Sequence, residues 1–450
     1  MATSVQRTST LGSLTTWTWS GWFKRGIVSS ASHMLFSGLT DGNNYTQCYF
    51  DSSDDFRFLN SVSSSLTGAL TSDRKFRDPG AWYHIVVNWD TTNVTAGDRI
   101  RLYVNGVEET SFSTDTQPGS SDPSAMNKSG SVTSMGGHTL ASEDFYGELS
   151  HCHFIDGTIY GPTTFGEFDS TSGIWKIKTS PSVTYGTNGW FLKFEDRTNL
   201  DLDSGTNAFT FTTTGTLTAT YDSPSNNFAT LNPLNVPVNP KPVFSNGNNT
   251  VVTQDASGKY FGGTSTLGMV GGKWYCEAKY SSLASNGMVG INGTSAEQAR
   301  NNSQVSYTTS GFGYNNLGEK CTNLTDTTYG NSYTTANVVG IAVDLDNLKI
   351  YFAKDNTWQD SGDPTSGATG TGAAFTILAA SATPEGFYTF SFTDQTTGSS
   401  TLSVNFGNGY FGTTAVTSAE ADGAGIGAFE FAPPTGYYAL CTKNIKAYGG

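Results

Sequence analysis

Apolar and polar residues alternate along many short segments of this chain, which is the pattern of β-strands with one buried face. In residues 82–90, His84 falls on one predicted face and four larger side chains share the other: Tyr83, Ile85, Val87 and Trp89. Residues 99–104 alternate in the same way. They are followed by Asn105-Gly106, a dipeptide that favours a type I′ turn, so the pattern predicts a β-hairpin.

The second half of the chain shows the same rhythm. Residues 338–344 form an apolar run that ends in Asp344, and residues 348–354 form a second apolar run after a short polar turn. No segment keeps a helical period over any length, although a short helix could form at residues 295–300. We therefore predict an all-β fold with two antiparallel β-sandwich (jelly-roll) domains in tandem.

Proline marks the boundary between the two predicted domains. Five of the 14 prolines fall between residues 224 and 242, together with several asparagines. Because proline fixes φ and lacks an amide donor, this stretch is expected to be extended and unpaired. The predicted organisation is a first sandwich at 1–222, a Pro/Asn-rich linker at 223–242 and a second sandwich at 243–450.

The composition narrows the class of partner. Only 14% of residues are charged, 52 of 450 are glycine, and the formal net charge is −14. We expect no nucleic-acid partner, since phosphate neutralisation needs clustered Lys and Arg. We also expect no membrane insertion and no secretory signal, because apolar runs of the required length are missing. The five cysteines include no CxxC pair and indicate neither a disulfide framework nor a zinc knuckle.

Several short motifs resemble known sandwich families. The first half contains, in this order, the segments WTWSGWFKR, WYHIVVNWD, RLYVNG and GELS. With these segments, residues 1–222 resemble the concanavalin A-like lectin/glucanase superfamily in its laminin-G-like branch. The second half contains GKWYCE, VGI, VGIAVDLD and VNFG. With these, residues of about 243–443 resemble a SPRY-type sandwich.

The joint between the halves and the C-terminal segment carry a third resemblance. Residues 222–234 and 434–444 are similar to segments of structural proteins of tailed phages, especially marine ones. This resemblance implies a virion component such as a tail-fibre, adaptor or capsid-decoration protein, with other virion proteins as partners. It also implies assembly in the host cytoplasm and release by lysis. We expect a homo-oligomer, with a trimer as the first candidate.

A lectin/glucanase fold also raises the hydrolase alternative. Retaining glycosidases of that superfamily carry an E-x-D-x-E motif on one strand, which sets two carboxyl groups about 5 to 5.5 Å apart. Glu143, Asp144 and Glu148 fail this spacing, because positions 143 and 148 face opposite sides of a regular strand. Two further acidic pairs share a face but lack a third acid: Asp201 with Asp203, and Asp344 with Asp346. We therefore expect no catalytic residues and no enzymatic activity.

Two segments could bind a metal ion. His151 and His153 would present two imidazoles on one face of a strand, with an ordinary strand pair as the alternative. A calcium ion could be held by oxygens of Asp41, Asn43, Asn44 and Asp51, with an Asp-Gly hairpin turn and solvated acids as the alternative. No other cofactor is expected.

Trp358 is the candidate for a contact surface. It lies in the polar stretch 355–364, beside Asp360 and Asp363, where a large aromatic side chain has no evident core partner. This loop is predicted to contact a glycan or a neighbouring subunit.

These observations favour a structural virion component that adheres to host-surface glycans or makes subunit contacts. The alternative is a free glycan-binding module or a glycosidase-like protein that acts on polysaccharide. A purely structural role, with the sandwiches serving only as subunit interfaces, is the third hypothesis.

Overall fold

The chain folds into two compact units, Met1–Ala219 and Thr220–Gly450. The computed structural model describes residues 3–28, 31–137, 143–236, 241–253, 262–284, 286–294, 305, 308–394 and 398–449. Nearly all regular structure in these residues is β-strand, and almost every pairing is antiparallel. The predicted all-β fold is confirmed. No helix in the described residues is long and apolar enough to cross a membrane.

The described strands of the first unit are β1 (Ser4–Thr8), β2 (Thr16–Arg25), β3 (His33–Asp41), β4 (Asn44–Phe50), β5 (Asp55–Val62), β6 (Ser65–Lys75), β7 (Trp82–Asp90), β8 (Ile100–Val104), β9 (Val107–Glu109), β10 (Phe112–Thr116), β11 (Val132–Met135), β12 (Gly147–Asp156), β13 (Gly166–Phe168), β14 (Trp175–Ile177), β15 (Trp190–Leu192) and β16 (Thr212–Thr214). They form an eight-stranded sheet of order β10-β6-β5-β4-β3-β11-β1-β16 and a six-stranded sheet of order β15-β12-β2-β7-β8-β9. The pair β13-β14 stands apart as a two-stranded sheet.

The core of the first unit lies between its two large sheets. In β7, Ile85, Val87 and Trp89 face this core, as the alternation predicts. The opposite face of β7 is buried as well, because Phe165 and Tyr185 pack onto the outer side of the six-stranded sheet. This second layer explains why β2 and β7 are buried on both faces.

The predicted hairpin after residue 104 is present. Val104 of β8 pairs with Val107 of β9, and the two turn residues have positive φ, 48° at Asn105 and 83° at Gly106. Both values fit the type I′ turn expected from Asn-Gly. The Asn105 side chain also accepts a hydrogen bond from the His84 amide at 2.8 Å, which ties the turn to β7.

The described elements of the second unit are β17 (Val243–Ser245), β18 (Thr250–Val252), β19 (Gly263–Thr264), β20 (Lys273–Ser282), β21 (Met288–Asn292), β22 (Gly311–Asn315), β23 (Glu319–Thr322), β24 (Thr325–Thr328), β25 (Val339–Asp344), β26 (Lys349–Lys354), β27 (Thr357–Trp358), β28 (Phe375–Thr376), β29 (Thr389–Thr393), β30 (Thr401–Asn405), β31 (Tyr410–Phe411), β32 (Thr414–Ala415), β33 (Tyr438–Ala439) and the helix α1 (Thr442–Tyr448). One sheet runs β17-β18-β30-β20-β25-β26-β27, with β28 paired to β26 and β33 paired to β20. The other runs β19-β29-β21-β22-β23-β24.

The core of the second unit again lies between two sheets. β25 and β26 form the antiparallel pair predicted from residues 338–354, and their inward side chains, such as Ile341 and Phe352, are buried. The helix considered at residues 295–300 falls outside the described residues. The observed helix α1 follows the strand β33 instead.

The segment expected to be a linker is in part a folded piece of the second unit. Phe228, Ala229 and Leu231 are buried there. The Ala229 amide bonds to the Leu440 carbonyl at 2.9 Å, and the Leu231 amide to the Asn248 carbonyl at 2.8 Å. The stretch is therefore neither free nor unpaired where the structure describes it, because apolar side chains between the prolines complete the core. Residues 237–240 lie outside the described residues.

Candidate functional site

The four residues proposed for calcium do not come together. Asp41 closes the β3-β4 hairpin, where its carboxylate accepts bonds from the Asn43 amide at 2.8 Å and the Asn44 side chain at 3.0 Å. Asp51 follows β4, so about 20 Å of strand separates it from Asp41. The Lys128 ammonium donates a hydrogen bond to Asn44 Oδ1 at 3.1 Å. Its positive charge would repel a calcium ion bound at that oxygen. The turn alternative fits this segment and the calcium hypothesis does not.

Asp51 also serves its own turn. Its carboxylate accepts bonds from the amides of Ser53 at 2.9 Å and Asp55 at 3.1 Å. In the Asp41 turn, the bond from the Asn44 side chain is the main reason that the pKa of Asp41 lies below its usual value. Both acids therefore stabilise turns of the eight-stranded sheet.

Trp358 is half-buried, and it has a packing partner. The residue lies in β27, opposite Ala353 of β26, after a tight turn at Asp355 and Asn356. Its ring meets the edge of the Tyr351 ring, with centroids 6.5 Å apart. The sequence did not reveal this partner, because Tyr351 lies on the outer face of β26 beneath a second apolar cluster.

The two acids beside Trp358 differ in their roles. Asp360 is exposed and adopts a positive φ of 52°. Asp363 caps the turn that follows, where it accepts bonds from the Thr365 hydroxyl at 2.6 Å and the Thr365 amide at 2.8 Å. These bonds, chiefly the one from the hydroxyl, hold the pKa of Asp363 below its usual value. Asp363 thus shapes the loop, and its role in ligand contact stays a prediction.

The two same-face acidic pairs considered for hydrolysis are engaged in structure. Asp203 accepts bonds from the backbone amides of Phe191 at 2.8 Å and Phe209 at 2.9 Å. Asp344 accepts a hydrogen bond from the Asn347 amide at 2.8 Å and forms an ion pair with Lys273 at 2.9 Å. Carboxylates held in this way stabilise turns and strand ends.

The remaining acids of these groups do not form one acidic strand face. Asp346 accepts the Gly272 amide at 2.8 Å, and Asp201 accepts the Thr213 hydroxyl at 3.1 Å. Glu148 lies in β12, whereas Glu143 and Asp144 lie in the irregular segment before it. The arrangement therefore differs from the three-acid strand of a retaining glycosidase.

The histidine pair does not form a metal site. A bulge in β12 places both His151 and Cys152 opposite Gly21 of β2, and His151 takes a φ of 47°. His153 stacks on Phe191 with centroids 3.8 Å apart, and its Nδ1 lies 3.0 Å from the Tyr185 hydroxyl. Burial lowers the pKa of both imidazoles, to about 4 for His151. Within the described parts of the chain, no group of three His, Cys, Asp or Glu side chains is placed to hold a metal ion.

Glu277 is a buried acid that the sequence analysis did not single out. Its carboxylate accepts the amides of Glu430 and Phe431, each at 2.8 Å, and a bond from Asn405 at 3.1 Å. Burial raises the pKa of Glu277 to about 7, a value typical of catalytic acids. The side chain is completely buried and surrounded by these donors, so its arrangement is that of a structural carboxylate.

A cleft of about 460 Å³ opens in the second unit. Its lining includes three asparagines, a threonine, a carboxylate and an aromatic ring: Asn232, Asn235, Asn292, Thr294, Glu385 and Phe387. The described residues that line it include no Lys, Arg or His. The described lining thus has one carboxylate, is rich in amides and hydroxyls, and is apolar at Phe387 and at the exposed Val270.

Hydrogen bonds within and between three segments hold part of the cleft in shape. The Asn232 amide bonds to the Thr264 carbonyl at 2.7 Å, and the Asn235 side chain to the Thr264 hydroxyl at 2.9 Å. Asn292 ends β21, where its side-chain oxygen accepts the Thr294 amide at 2.9 Å. These bonds fix the direction of the amide groups before any ligand arrives.

Phe387 is the aromatic side chain of the lining. Its side chain is 37% exposed, just before β29 begins. A Cβ on Gly268 would lie 2.7 Å from the Phe387 ring, so the ring rests directly on the Gly268 backbone. The sequence analysis missed this site, since its residues come from four distant segments and show no periodic pattern.

Solved structures that are similar to this chain include three of low sequence identity. A heptameric SAP-like pentraxin from Limulus polyphemus is 16% identical, covers 42% of this chain and 88% of its own length, and has a TM-score of 0.29. The SPRY domain of human HERC1 is 13% identical, covers 39% of this chain and 96% of its own, and has a TM-score of 0.29. Domain 4 of AbnA, an extracellular arabinanase from Geobacillus stearothermophilus solved with arabinotriose, is 17% identical, covers 35% of this chain and 68% of its own, and has a TM-score of 0.27.

Comparison with protein sequences gives a family match within the first unit. No curated protein matches the chain. Residues 2–159, about a third of the chain, match the sequence model of a protein family. That family belongs to the concanavalin A-like lectin/glucanases superfamily, and the first unit therefore carries a domain of this superfamily.

Proposed function

We propose that this chain is a non-enzymatic carbohydrate-binding protein displayed on the outside of a phage particle. The observation that carries the first part is the match of residues 2–159 to the concanavalin A-like lectin/glucanases superfamily. A superfamily that contains both lectins and hydrolases leaves two activities open, and the acidic residues favour the lectin.

The acidic side chains support binding without hydrolysis. A retaining glycosidase needs two carboxyl groups about 5 to 5.5 Å apart that flank the bond to be cleaved. In this chain Asp203 and Asp344 accept backbone amides, and Asp344 also pairs with Lys273. Such carboxylates hold turns and strand ends in place and are poorly placed to attack a sugar.

A glycan array probed with the purified full chain tests the carbohydrate-binding role. We expect selective binding to a subset of glycans and no release of reducing sugar from algal or bacterial polysaccharides. Silence across the array would contradict the proposal. Reducing-sugar release that is lost on Glu148→Gln would instead assign a hydrolase.

The virion part of the proposal rests on the resemblance of residues 222–234 and 434–444 to tailed-phage structural proteins. Partners are then other virion proteins and host-surface glycans, and the chain would act as a homo-oligomer, with a trimer expected first. Mass spectrometry of purified particles should detect the chain, and light scattering should give its subunit number. Absence from the particles would overturn the assignment to the virion.

A further inference from the structure

Two tyrosine rings of the second unit lie face to face. Tyr438 belongs to β33, and Tyr448 is the last residue of α1. Their ring centroids are 3.7 Å apart and their planes differ by 2°, which is closer than the roughly 4.5–7 Å at which aromatic rings usually pair. A flat contact this short brings the carbon atoms of one phenol ring against those of the other.

The backbone around the two tyrosines holds this contact in place. β33 pairs with the start of β20. A Cβ on Gly272, just before β20, would collide with the Tyr448 carbonyl, so the end of α1 rests directly on the backbone there. The Asn444 side chain in α1 donates to the Ala439 carbonyl at 3.0 Å and ties the helix to β33. The stack therefore follows from the fold of the main chain.

The two phenols are accessible from solvent. Tyr448 is 39% exposed and Tyr438 is half-buried, and the two side chains share a hydrogen bond. The tyrosine contact of Tyr314 with Tyr333, in contrast, lies in the core, where both residues are buried. An oxidant in solution can thus reach the stacked pair, whereas the core pair is shielded.

We propose that Tyr438 and Tyr448 form an oxidative modification site at which a carbon–carbon bond joins the two rings. A one-electron oxidant takes an electron from each phenol, whose hydroxyl proton passes to water, and two phenoxyl radicals remain. The radicals couple through the ring carbons next to the C–O carbons. Each coupled carbon then loses its hydrogen as a proton and each oxygen regains one, so two tyrosines and one hydrogen peroxide give one dityrosine and two waters.

Such a bond would fasten the C-terminal helix to the sheet. α1 has only seven residues, and an isolated helix of this length is unstable in water. The five cysteines are free and buried, so none of them supplies a disulfide for this purpose. A link between Tyr438 and Tyr448 closes a short loop and restricts the unfolded chain, as a disulfide does. The proposal does not depend on the proposed function.

Oxidation of the dilute full chain with a haem peroxidase and hydrogen peroxide tests the proposal. The monomer should lose the mass of two hydrogen atoms. Trypsin and a glutamate-specific protease cleave after Glu430, Lys443 and Lys446, so residues 431–443 should be recovered joined to residues 447–450. Tyr448→Phe and Tyr438→Phe should each lower the dityrosine yield at least tenfold, because phenylalanine keeps the ring but forms no phenoxyl radical.

Tyr146→Phe is the matched control. Tyr146 is 49% exposed, and its ring meets the His33 ring in the first unit. This variant should change the dityrosine yield of the monomer by less than twofold. The thermal midpoint of each variant reports whether the fold is intact, and free tyrosine oxidised in parallel shows that the oxidant is active.

Three results would overturn the proposal. One is a monomer that loses no hydrogen while free tyrosine is oxidised. Another is a dityrosine yield in Tyr448→Phe equal to that of the parent chain. The third is cross-linking that occurs only between chains and leaves residues 431–443 and 447–450 unjoined within the monomer.

Discussion

Asp41, Asp203 and Glu277 show how single acidic residues are used in this protein. Each accepts hydrogen bonds from backbone amides; Asp41 and Asp203 do so at turns, whereas Glu277 lies within β20. The sequence displays the acid but not its donors, because the donors come from residues two to more than one hundred and fifty positions away. For this reason the sequence could list carboxylates as catalytic or calcium candidates, and only the structure could assign them to turns.

His84 is the residue whose chemistry is most tightly set by its neighbours. The Trp175 indole N–H donates to His84 Nδ1 at 3.1 Å, while Nε2 lies 2.9 Å from the Ser20 hydroxyl. An indole nitrogen can only donate, so His84 Nδ1 must be unprotonated and the ring neutral. Complete burial agrees with this tautomer, since it lowers the pKa of His84 to about 3.

We predict that His84 makes the fold sensitive to acid. Between about pH 6.5 and about pH 3, His84 is protonated in the unfolded chain and neutral in the folded chain. The free energy of unfolding therefore falls as the pH falls. Between pH 7.5 and pH 5, His84 alone should lower the free energy of unfolding by about 2 kcal/mol. Urea unfolding at pH 7.5 and pH 5 should show that His84→Gln removes this part of the loss.

Other groups also titrate, so the comparison between the two proteins is what isolates His84. Glu277 has the opposite effect on stability. Its raised pKa stabilises the folded chain by an amount that is fully present below about pH 4.5 and is lost as the pH rises through about 7. An identical loss of stability in the parent chain and in His84→Gln would contradict the prediction.

At the scale of elements, Gly106 in the β8-β9 hairpin meets two requirements, one from the local turn and one from a tertiary contact. Asn105-Gly106 is sufficient to predict the turn, and the positive φ of 83° explains why glycine follows the asparagine. The structure adds that a Cβ on Gly106 would strike the Trp175 ring. Trp175 belongs to β14 and reaches the hairpin only because the two-stranded sheet covers β7.

We predict that Gly106→Ala lowers the free energy of unfolding by about 2–4 kcal/mol, from backbone strain of about 1–2 kcal/mol plus displacement of a pinned ring. Gly130 has a φ of 82° with open space around its Cβ position, so Gly130→Ala should cost only the strain. Gly42→Ala should change stability by less than about 0.5 kcal/mol, since its Cβ position is also open. Urea unfolding of the three variants measures this order, and equal effects at Gly106 and Gly130 would exclude a role for Trp175.

At the scale of the whole molecule, each unit has a core of its own. The proline-rich stretch that the sequence marks as a linker contributes Ala229 and Leu231 to the second core and Phe228 to the neighbouring apolar cluster that includes Tyr351. The compact unit therefore begins at Thr220 and not after residue 242. Proline content alone could not show this, because burial of the intervening apolar residues depends on a sheet formed by later parts of the chain.

We predict that a fragment of residues 220–450 folds cooperatively and that a fragment of residues 243–450 is much less stable. Loss of Phe228 and Leu231 from the core removes about 1.5–3 kcal/mol each, a large share of the roughly 5–15 kcal/mol that stabilises a domain. Urea unfolding can be followed by the fluorescence of Trp274, which is 1% exposed in this core. Equal midpoints for the two fragments would show that the stretch before residue 243 is dispensable.

The sequence by itself determined the strands β7, β8, β25 and β26, the β8-β9 turn and the all-β class, because alternation and turn chemistry act between residues that are neighbours in the chain. Tertiary structure decided the start of the second unit, the partners of the acids and histidines, and the cleft around Phe387. The cleft is assembled from segments near residues 232, 268, 292 and 387, and the separation of these segments leaves no periodic signal in the sequence. Which side chains share a site depends on how the sheets pack, and packing brings together residues that local rules treat one at a time.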